Sequence, residues 1–242
     1  MSRATAGQTE HAMAVPVSGQ KLGYWLHVPE SDAPEGGWPL LLFLHGAGER
    51  GTDLRSVKVH GPPRLVGKVK QLKGAVVISP QCPSDGWWRP EVVKALLDEV
   101  LKSQGEKVDR RRLYCTGLSM GGYGTWSMIA RYPGFFAAAA PICGGGDVER
   151  LKVELEHEGA PDFDIEALKK NAKALPIWVF HGAADTVVPQ AESELLIDAL
   201  KAAGSSSVKF TSYAGVGHNS WTKTYDDPAF YRWLFAQQRK ES

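Results

Sequence analysis

The chain has 242 residues, of which 43% are hydrophobic and 23% are charged, and its formal net charge is +1. This length and composition predict a single globular domain, residues 1–242, with a sizeable core. The balanced charge, with no basic arm, argues against nucleic acid as a partner. No stretch is apolar and long enough to span a bilayer, and residues 1–20 lack the apolar region of a secretory signal. We therefore expect a cytoplasmic protein with no membrane partner.

The three cysteines, Cys82, Cys115 and Cys143, lie in apolar or turn contexts. Their odd number favours free buried thiols in a reducing compartment over disulfides. No two of them have the spacing of metal ligands, and the sequence contains no C-x-x-C motif. We therefore expect neither a metal ion nor a cofactor.

Short apolar runs alternate along the chain with segments of helical periodicity. The central runs are continuously apolar, which is typical of parallel strands covered on both faces. The predicted strands span residues 24–28, 40–44, 75–79, 112–116, 137–141, 177–181 and 208–213. The predicted helices have their apolar positions within residues 92–101, 123–131, 195–200 and 230–234. Strands alternating with helices predict an α/β fold, with a mostly parallel, doubly wound sheet flanked by helices on both faces.

One stretch, residues 148–175, interrupts this alternation. It contains a charged helical segment at 149–158, a Gly-Ala-Pro breaker at 159–161 and a second short helix near 165–172. Its charge favours a solvated surface excursion. The alternative is a small cap over the active site, and the sequence leaves both interpretations open.

The segment around Ser119 has the pattern of a catalytic turn. A short apolar strand leads into a G-x-S-x-G turn at residues 117–121, and a helical segment follows. This arrangement is the nucleophile elbow of α/β-hydrolases, in which a sharp turn holds the serine in a strained conformation. Glycine is needed two positions before and after the serine, because larger side chains would collide there. The segment therefore predicts a nucleophilic serine, although a glycine-rich structural turn explains many chance matches to the motif.

A serine hydroxyl needs a base within hydrogen-bond reach, and the base needs an acid that fixes its tautomer. In this fold, the expected chain order is serine, acid, histidine. Asp185 follows the predicted strand 177–181, and His218 lies in a glycine-flanked loop after the last predicted strand. Carboxyl ends of strands are where open α/β sheets place their ligand crevice. We predict Asp185 as the acid and His218 as the base, with Asp147, which follows strand 137–141, as a competing acid.

The other histidines have less specific surroundings. They lie in polar segments, on an early strand, or in glycine-containing turns, where solvation or turn packing is expected. These residues are His11, His27, His45, His60, His157 and His181.

Acyl transfer also generates an oxyanion, which backbone N–H groups must stabilise. The residue after the nucleophile supplies one donor, here Met120, at the start of a helix whose dipole favours negative charge. The second donor comes from the loop after the predicted strand 40–44, which reads His-Gly-Ala-Gly-Glu-Arg-Gly from residue 45. We predict the Ala47 N–H as this donor. In isolation, the same loop would read as a glycine-rich turn with no catalytic role.

Five sequence blocks together resemble a known family. They span residues 44–51, 60–63, 117–122, 181–189 and 217–221. The chain is similar to bacterial carboxylesterases and predicted peptidases of the α/β-hydrolase superfamily, which are related to feruloyl and acetylxylan esterases and to prolyl-oligopeptidase catalytic domains. The resemblance implies Ser119, Asp185 and His218 as a catalytic triad, and Ala47 with Met120 as the oxyanion hole. Residues 148–175 are longer than the minimal pattern of the family.

Aromatic residues near these loops are candidates for the substrate pocket. Trp87 and Trp88 lie in the loop after the predicted strand 75–79, and Trp221 lies three residues beyond His218. Such residues can wall a pocket for an aryl or sugar ester, although core packing explains any one of them as well. Arg50 is a candidate to bind a substrate carboxylate or phosphate, with a structural ion pair as the alternative.

These predictions combine into a metal-independent serine carboxylesterase whose partner is a small-molecule ester with a small to medium acyl group. A peptidase or amidase would use the same residues on a poorer leaving group. A catalytically silent binding module of the same fold is the alternative from another class. The sequence indicates neither the oligomeric state nor the substrate.

Overall fold

The computed structural model describes residues 7–132, 134–146 and 163–239. Within them, eight strands form one sheet in the order β1-β2-β4-β3-β5-β6-β7-β8. Strand β2 is antiparallel to both β1 and β4, and all other neighbouring pairs are parallel. This confirms the predicted mostly parallel α/β sheet. The strands are β1 (Gln8–Ala12), β2 (Gly23–His27), β3 (Trp38–Leu44), β4 (Val76–Pro80), β5 (Val108–Leu118), β6 (Ala138–Ile142), β7 (Ile177–Gly182) and β8 (Val208–Tyr213).

The central strands are apolar throughout because both faces of the sheet are covered. In β3, all seven residues are buried. Leu40, Leu42 and Leu44 belong to the apolar core on one face, whereas Leu41 and Phe43 belong to the core on the other face. The alternation of side chains along one strand therefore supplies two separate cores.

Helices cover both faces of the sheet. The helices α3, α4 and α6 pack on the core that contains Leu40, and α1, α2, α7 and α8 pack on the core that contains Leu41. The helices are α1 (Gly61–Leu65), α2 (Lys70–Lys73), α3 (Pro90–Gln104), α4 (Met120–Arg131), α5 (Ile165–Asn171), α6 (Gln190–Ala202), α7 (Trp221–Asp226) and α8 (Pro228–Ala236). In this described part of the chain, no helix has the length and apolar character needed to cross a membrane.

The sequence analysis missed strand β1 and the short helices α1, α2 and α7. Four of the five residues of β1 are exposed, so this strand has no apolar run to reveal it. It forms by pairing along its whole length with β2, from Gln8 opposite His27 to Ala12 opposite Gly23. A polar edge strand of this kind depends on its neighbour rather than on its own periodicity.

The stretch 148–175 is described only in its second half. Helix α5 begins after Asp164, whose side chain caps the Ala167 N–H (2.8 Å), and it buries Leu168. Asn171 at its end donates a hydrogen bond to the Ala130 carbonyl (3.0 Å), which fastens the helix to α4. The predicted helix 149–158, the breaker 159–161 and the competing acid Asp147 lie outside the described residues, so the choice between excursion and cap stays a prediction.

Candidate active site

Ser119 lies in the sharp turn between β5 and α4, with φ 51° and ψ −120°. A Cβ atom on Gly117 would overlap the Gly121 carbonyl, and a Cβ on Gly121 would overlap the Leu44 carbonyl. The Ser119 N–H donates to the Ile142 carbonyl (3.0 Å) at the end of β6. A non-glycine residue at such a φ costs about 1–3 kcal/mol. Close backbone packing against the ends of β3 and β6 holds the serine there in spite of this cost.

The structure brings the three predicted triad residues together. His218 Nε2 lies 2.9 Å from Ser119 Oγ, and His218 Nδ1 lies 2.7 Å from Asp185 Oδ2. Ser119 follows the carboxyl end of β5, Asp185 that of β7 and His218 that of β8. Their side chains form one hydrogen-bonded line from hydroxyl to imidazole to carboxylate, as expected for an activated nucleophile.

The surroundings of Asp185 keep this carboxyl ionised. Burial raises its pKa, but hydrogen bonds from His181, His218 and the Val188 N–H outweigh burial and hold the pKa well below its usual range. Its Oδ1 accepts from the N–H groups of Val187 and Val188, both at 2.9 Å. An ionised Asp185 requires the proton of His218 to be on Nδ1, which leaves Nε2 free to accept the serine proton.

Two backbone N–H groups are available next to Ser119. Met120 is the first residue of α4, so its N–H has no acceptor inside the helix. Ala47 is the first residue of a 3₁₀ turn, Ala47–Glu49, directly after β3. Neither N–H donates to another group in the described residues, and both residues line the same cavity as Ser119. The prediction that these two N–H groups stabilise an oxyanion stays a prediction.

Side chains hold the loop that carries Ala47. Glu49 Oε2 accepts from the Gly46 N–H (2.9 Å), Arg50 Nε donates to the Ala47 carbonyl (3.1 Å), and Gln81 Nε2 donates to the Glu49 carbonyl (2.9 Å). We call residues 46–51 the oxyanion loop. Burial raises the pKa of the Glu49 carboxyl, whereas His60 and the Gly46 N–H oppose that shift.

The structure gives Arg50 a different role from either one weighed for it. Its guanidinium donates to the carbonyls of Ala47 and Gly86, the latter through Nη1 at 3.3 Å. Within the described residues it forms no ion pair, and Asp53 instead pairs with Arg55 at 2.8 Å. Arg50 ties the oxyanion loop to the neighbouring loop, so the geometry does not support the prediction that it binds a substrate anion.

The prediction that Trp87 and Trp88 line the pocket is also wrong. Their side chains are only 3% and 2% exposed and belong to the core. The Trp88 indole N–H donates to the His45 carbonyl (3.0 Å), and the Trp87 ring packs against the edge of Tyr123. Both indoles therefore pack in the core next to the site and do not line the cavity.

A half-open cavity of about 270 Å³ lies in front of Ser119. Trp221 forms part of its wall, and its ring packs edge-on against both His218 and His60, with centroids 5.4 and 5.5 Å apart. The titratable side chains among the lining residues are those of Glu49 and His218. The remaining lining residues are small or apolar: Gly46, Ala47, Gly48, Leu118, Met120, Val187 and Val188.

Sequence reasoning missed the supporting roles of Glu49, Gln81, His45 and His181. His45 is fully buried, and its Nε2 accepts from the Cys82 N–H (2.9 Å). Burial lowers the pKa of His45 to about 4, so the ring is neutral near pH 7. The spacing from Gly46 to Glu49 was the signal that could have identified the carboxylate, because a glutamate three residues after the residue that precedes a helical turn commonly accepts from the N–H of that residue.

The three cysteines are free and buried. Burial raises the pKa of each thiol to about 12, so they are protonated near neutral pH. Within residues 7–132, 134–146 and 163–239, no group of three or more His, Cys, Asp or Glu side chains is arranged to hold a metal ion.

Comparisons with known proteins agree with this fold. A structure described as a thermostable esterase is 33% identical, with a TM-score of 0.76, and the match covers 96% of this chain and 64% of that one. A poly(3-hydroxyoctanoate) depolymerase of Pseudomonas fluorescens is 26% identical over 212 residues, 78% of this chain and 71% of the depolymerase. An uncharacterized secreted protein of Arthroderma benhamiae is 29% identical over 201 residues, 74% of this chain.

The chain spans only about a fifth of the length of that secreted protein (21%), and less than two thirds of the thermostable esterase. The relatives therefore carry more sequence than is matched here. The model of the prolyl oligopeptidase family matches residues 93–238, which include Ser119, Asp185 and His218. This match covers more than half of the chain, which thus belongs to the prolyl oligopeptidase family and has the α/β-hydrolase fold.

Proposed function

We propose that the chain is a serine hydrolase that cleaves carboxylic esters with small to medium acyl groups through an acyl-enzyme intermediate. The observation that carries this proposal is the line of hydrogen bonds from Ser119 Oγ through His218 to Asp185, at 2.9 and 2.7 Å. Ser119 lines a cavity together with Ala47 and Met120, whose backbone N–H groups donate to no other described group. These are the parts that acyl transfer needs: a nucleophile, a base with a fixed tautomer and donors for an oxyanion.

In the proposed reaction, Ser119 Oγ attacks the acyl carbon while His218 Nε2 takes the hydroxyl proton. The carbonyl oxygen becomes an oxyanion between the N–H groups of Ala47 and Met120. His218 then protonates the leaving alcohol oxygen, and the C–O bond breaks to leave the acyl-enzyme. Water, deprotonated by the same imidazole, attacks the acyl carbon and releases the acid and free Ser119.

The cavity supports a neutral, partly apolar substrate. Its walls near Ser119 are formed by Leu118, Met120, Val187 and Val188, which offer an apolar surface to an acyl chain. Trp221 offers an aromatic face to the alcohol or acyl part of the ester. With Arg50 committed to carbonyl groups, no described lysine or arginine lines this cavity. An aryl or sugar ester remains compatible with these walls.

The nucleophile is tested by Ser119→Ala. We expect this variant to lose labelling by a fluorophosphonate probe and to lose p-nitrophenyl acetate turnover by several orders of magnitude. Ser127→Ala, on the same helix but away from the turn, is the matched control and should keep both activities. Turnover that survives Ser119→Ala at parental level, in a folded variant, would contradict the assignment and favour a non-catalytic binding module.

The family membership favours a second candidate, a serine peptidase or amidase. The same triad would act on an amide, whose leaving group needs fuller protonation by His218. Comparing kcat/KM on aminoacyl amides and on matched esters separates the two. A preference for the ester well beyond its intrinsic reactivity supports the esterase, and amide turnover within tenfold of the ester supports the peptidase.

The substrate panel extends to polyesters, because one relative is named a poly(3-hydroxyoctanoate) depolymerase. Oligomers of 3-hydroxyalkanoates, p-nitrophenyl esters of increasing acyl length, and aryl and sugar esters form the other arms. We expect a maximum at short to medium acyl chains, since the cavity holds about 270 Å³. A maximum on long-chain emulsions would favour a lipase instead.

A further inference from the structure

His181 is a second histidine in contact with Asp185, and the proposed reaction gives it no role. It is the penultimate residue of β7, and its side chain is fully buried. Sequence context alone predicts only turn packing for it. When both ring nitrogens of a buried imidazole contact polar groups, the ring has a fixed orientation. The identity of those groups then indicates what the imidazole does.

The Nε2 atom of His181 faces two oxygen atoms. It lies 2.8 Å from the Val188 carbonyl and 3.2 Å from Asp185 Oδ2. A carbonyl and an ionised carboxylate only accept hydrogen bonds, so Nε2 must bear a proton. The His181 N–H is therefore shared between the carboxylate and the backbone of the loop that carries it.

The Nδ1 atom of His181 lies 2.8 Å from Ser193 Oγ, on helix α6. Ser193 Oγ is also 2.7 Å from the Gly144 carbonyl, just beyond the end of β6. Ser193 has no exposed surface, so this contact is shielded from water. The serine thus fixes the plane of the imidazole, whose Nε2–H donates to the Val188 carbonyl and lies 3.2 Å from Asp185 Oδ2.

Through Gly144, the contact of Ser193 is connected to the nucleophile turn. Gly144 packs directly on Gly122 of α4, where a Cβ on either glycine would meet the backbone of the other. The Gly122 N–H donates to the Ser119 carbonyl (2.7 Å). His181 and Ser193 therefore connect the loop of the acid with the backbone that holds the nucleophile.

We propose that His181 is a positioning residue for the acid of the triad: with Ser193 it holds Asp185 Oδ2 in place and shares the negative charge of that oxygen with His218. This inference rests on the proposed serine-hydrolase function. Both imidazoles place a ring nitrogen close to the same oxygen atom, Oδ2, at 2.7 Å for His218 and 3.2 Å for His181, while Oδ1 accepts from the N–H groups of Val187 and Val188.

The other titratable groups near this carboxylate do not compete for its charge. The groups that interact electrostatically with Asp185 in the described residues are His181, His218 and the Cys143 thiol. Burial raises the pKa of Cys143 to about 12, so the thiol is neutral across the working pH range. A change at His181 therefore acts on the charge of His218 through Asp185, while its contact with Ser193 leads to the backbone of the nucleophile turn.

The test compares His181→Leu with His181→Gln. Leu removes the N–H, whereas the Gln amide can return an N–H near the position of Nε2. We expect Leu to lower kcat on p-nitrophenyl acetate by about 10–100-fold with little change in KM, since a charge-assisted hydrogen bond is lost outside the pocket. We also expect the acidic limb of kcat/KM to move to higher pH, because an Asp185 with one partner fewer stabilises protonated His218 more. Gln should restore most of the rate and the original limb.

His27→Leu is the matched control. His27 is also buried, with Nδ1 bonded to a backbone carbonyl, but it lies in β2 next to the start of β4, at the opposite edge of the sheet. It should lower thermal stability and leave the pH profile unchanged. If folded His181→Leu keeps the parental kcat and acidic limb, the proposal is overturned. Failure of the proposed function itself would appear separately, as turnover that survives Ser119→Ala.

Discussion

The nucleophile turn and the oxyanion loop lie side by side, yet they are held in different ways. Around Ser119, glycine backbones touch each other and the end of β3 so closely that no Cβ fits at Gly117 or Gly121. In the oxyanion loop, by contrast, the side chains of Glu49, Arg50 and Gln81 hold the backbone through hydrogen bonds. A Cβ atom added to a close backbone contact forces the backbone to shift, whereas side-chain hydrogen bonds can be removed one at a time. Substitutions should therefore be all-or-none in the turn and graded in the loop.

The largest effect is expected from Gly121→Ala. The new methyl group would overlap the Leu44 carbonyl, so either β3 or α4 must shift. We expect a loss of about 3 kcal/mol or more in the free energy of unfolding, measured by urea denaturation, with no turnover in the soluble fraction.

Gly48→Ala is the control in the other region. Gly48 is exposed, its φ is not positive, and no atom lies within 4 Å of an added Cβ. It should keep parental stability. If Gly121→Ala unfolds no more readily than Gly48→Ala, close backbone packing does not hold the turn.

A medium effect is expected from Arg50→Ala. This change removes the hydrogen bonds to the Ala47 and Gly86 carbonyls. The Ala47 N–H then loses part of its alignment, and we expect kcat to fall by about tenfold for neutral esters.

The charge of the substrate sharpens this prediction. If Arg50 only positions the loop, neutral esters and anionic esters such as monosuccinates should lose the same factor. A selective loss on the anionic ester would restore the substrate-binding role. Arg55→Ala, which removes an exposed arginine paired with Asp53, should change neither.

The smallest effect is expected from Glu49→Gln. The Gln carbonyl oxygen can still accept from the Gly46 N–H, so turnover should stay within about threefold of the parent. The folded pKa of Glu49 is raised by burial, so ionising it costs stability once the pH exceeds its unfolded value of about 4.3. The variant should therefore be slightly more stable than the parent at pH 8, by about 1 kcal/mol or less. This advantage should vanish toward pH 4.

Glu49→Ala completes the pair, because it also removes the acceptor. It should reduce turnover much more than Glu49→Gln at every pH. Equal activities of the two variants would show that the Gly46 hydrogen bond does not hold the oxyanion loop.

The sequence predicted seven of the eight strands and the longer helices that cover them, because continuous apolar runs and helical periodicity are strong local signals. The short helices α1, α2 and α7 have too few residues to show that periodicity. Ser119, Asp185 and His218 were recognisable for a related reason: each follows a predicted strand in a glycine-containing loop. Strand β1 escaped prediction because its polar residues fold only against β2. The expected cytoplasmic location, single domain and small-molecule partner stay predictions.

The errors concern the direction in which side chains point. Position in a loop located Trp87 and Trp88 at the correct edge of the sheet but did not distinguish the cavity from the core behind it. Arg50 was predicted from its charge to bind an anion or form an ion pair, whereas its guanidinium donates hydrogen bonds to the carbonyls of Ala47 and Gly86. The partner of His181 Nδ1, Ser193, lies on helix α6 and is in turn bonded to Gly144 beyond the end of β6. No local pattern announces such contacts.

Gly48 gives this scaffold room for adaptation. It lines the cavity, yet a Cβ atom added there would have no other atom within 4 Å. The neighbouring hydrogen bonds of Glu49 and Arg50 do not use it. Enzyme engineers could thus enlarge or recharge the entrance at one position while leaving the reacting groups untouched, and a library at Gly48 would be a direct way to retarget the enzyme.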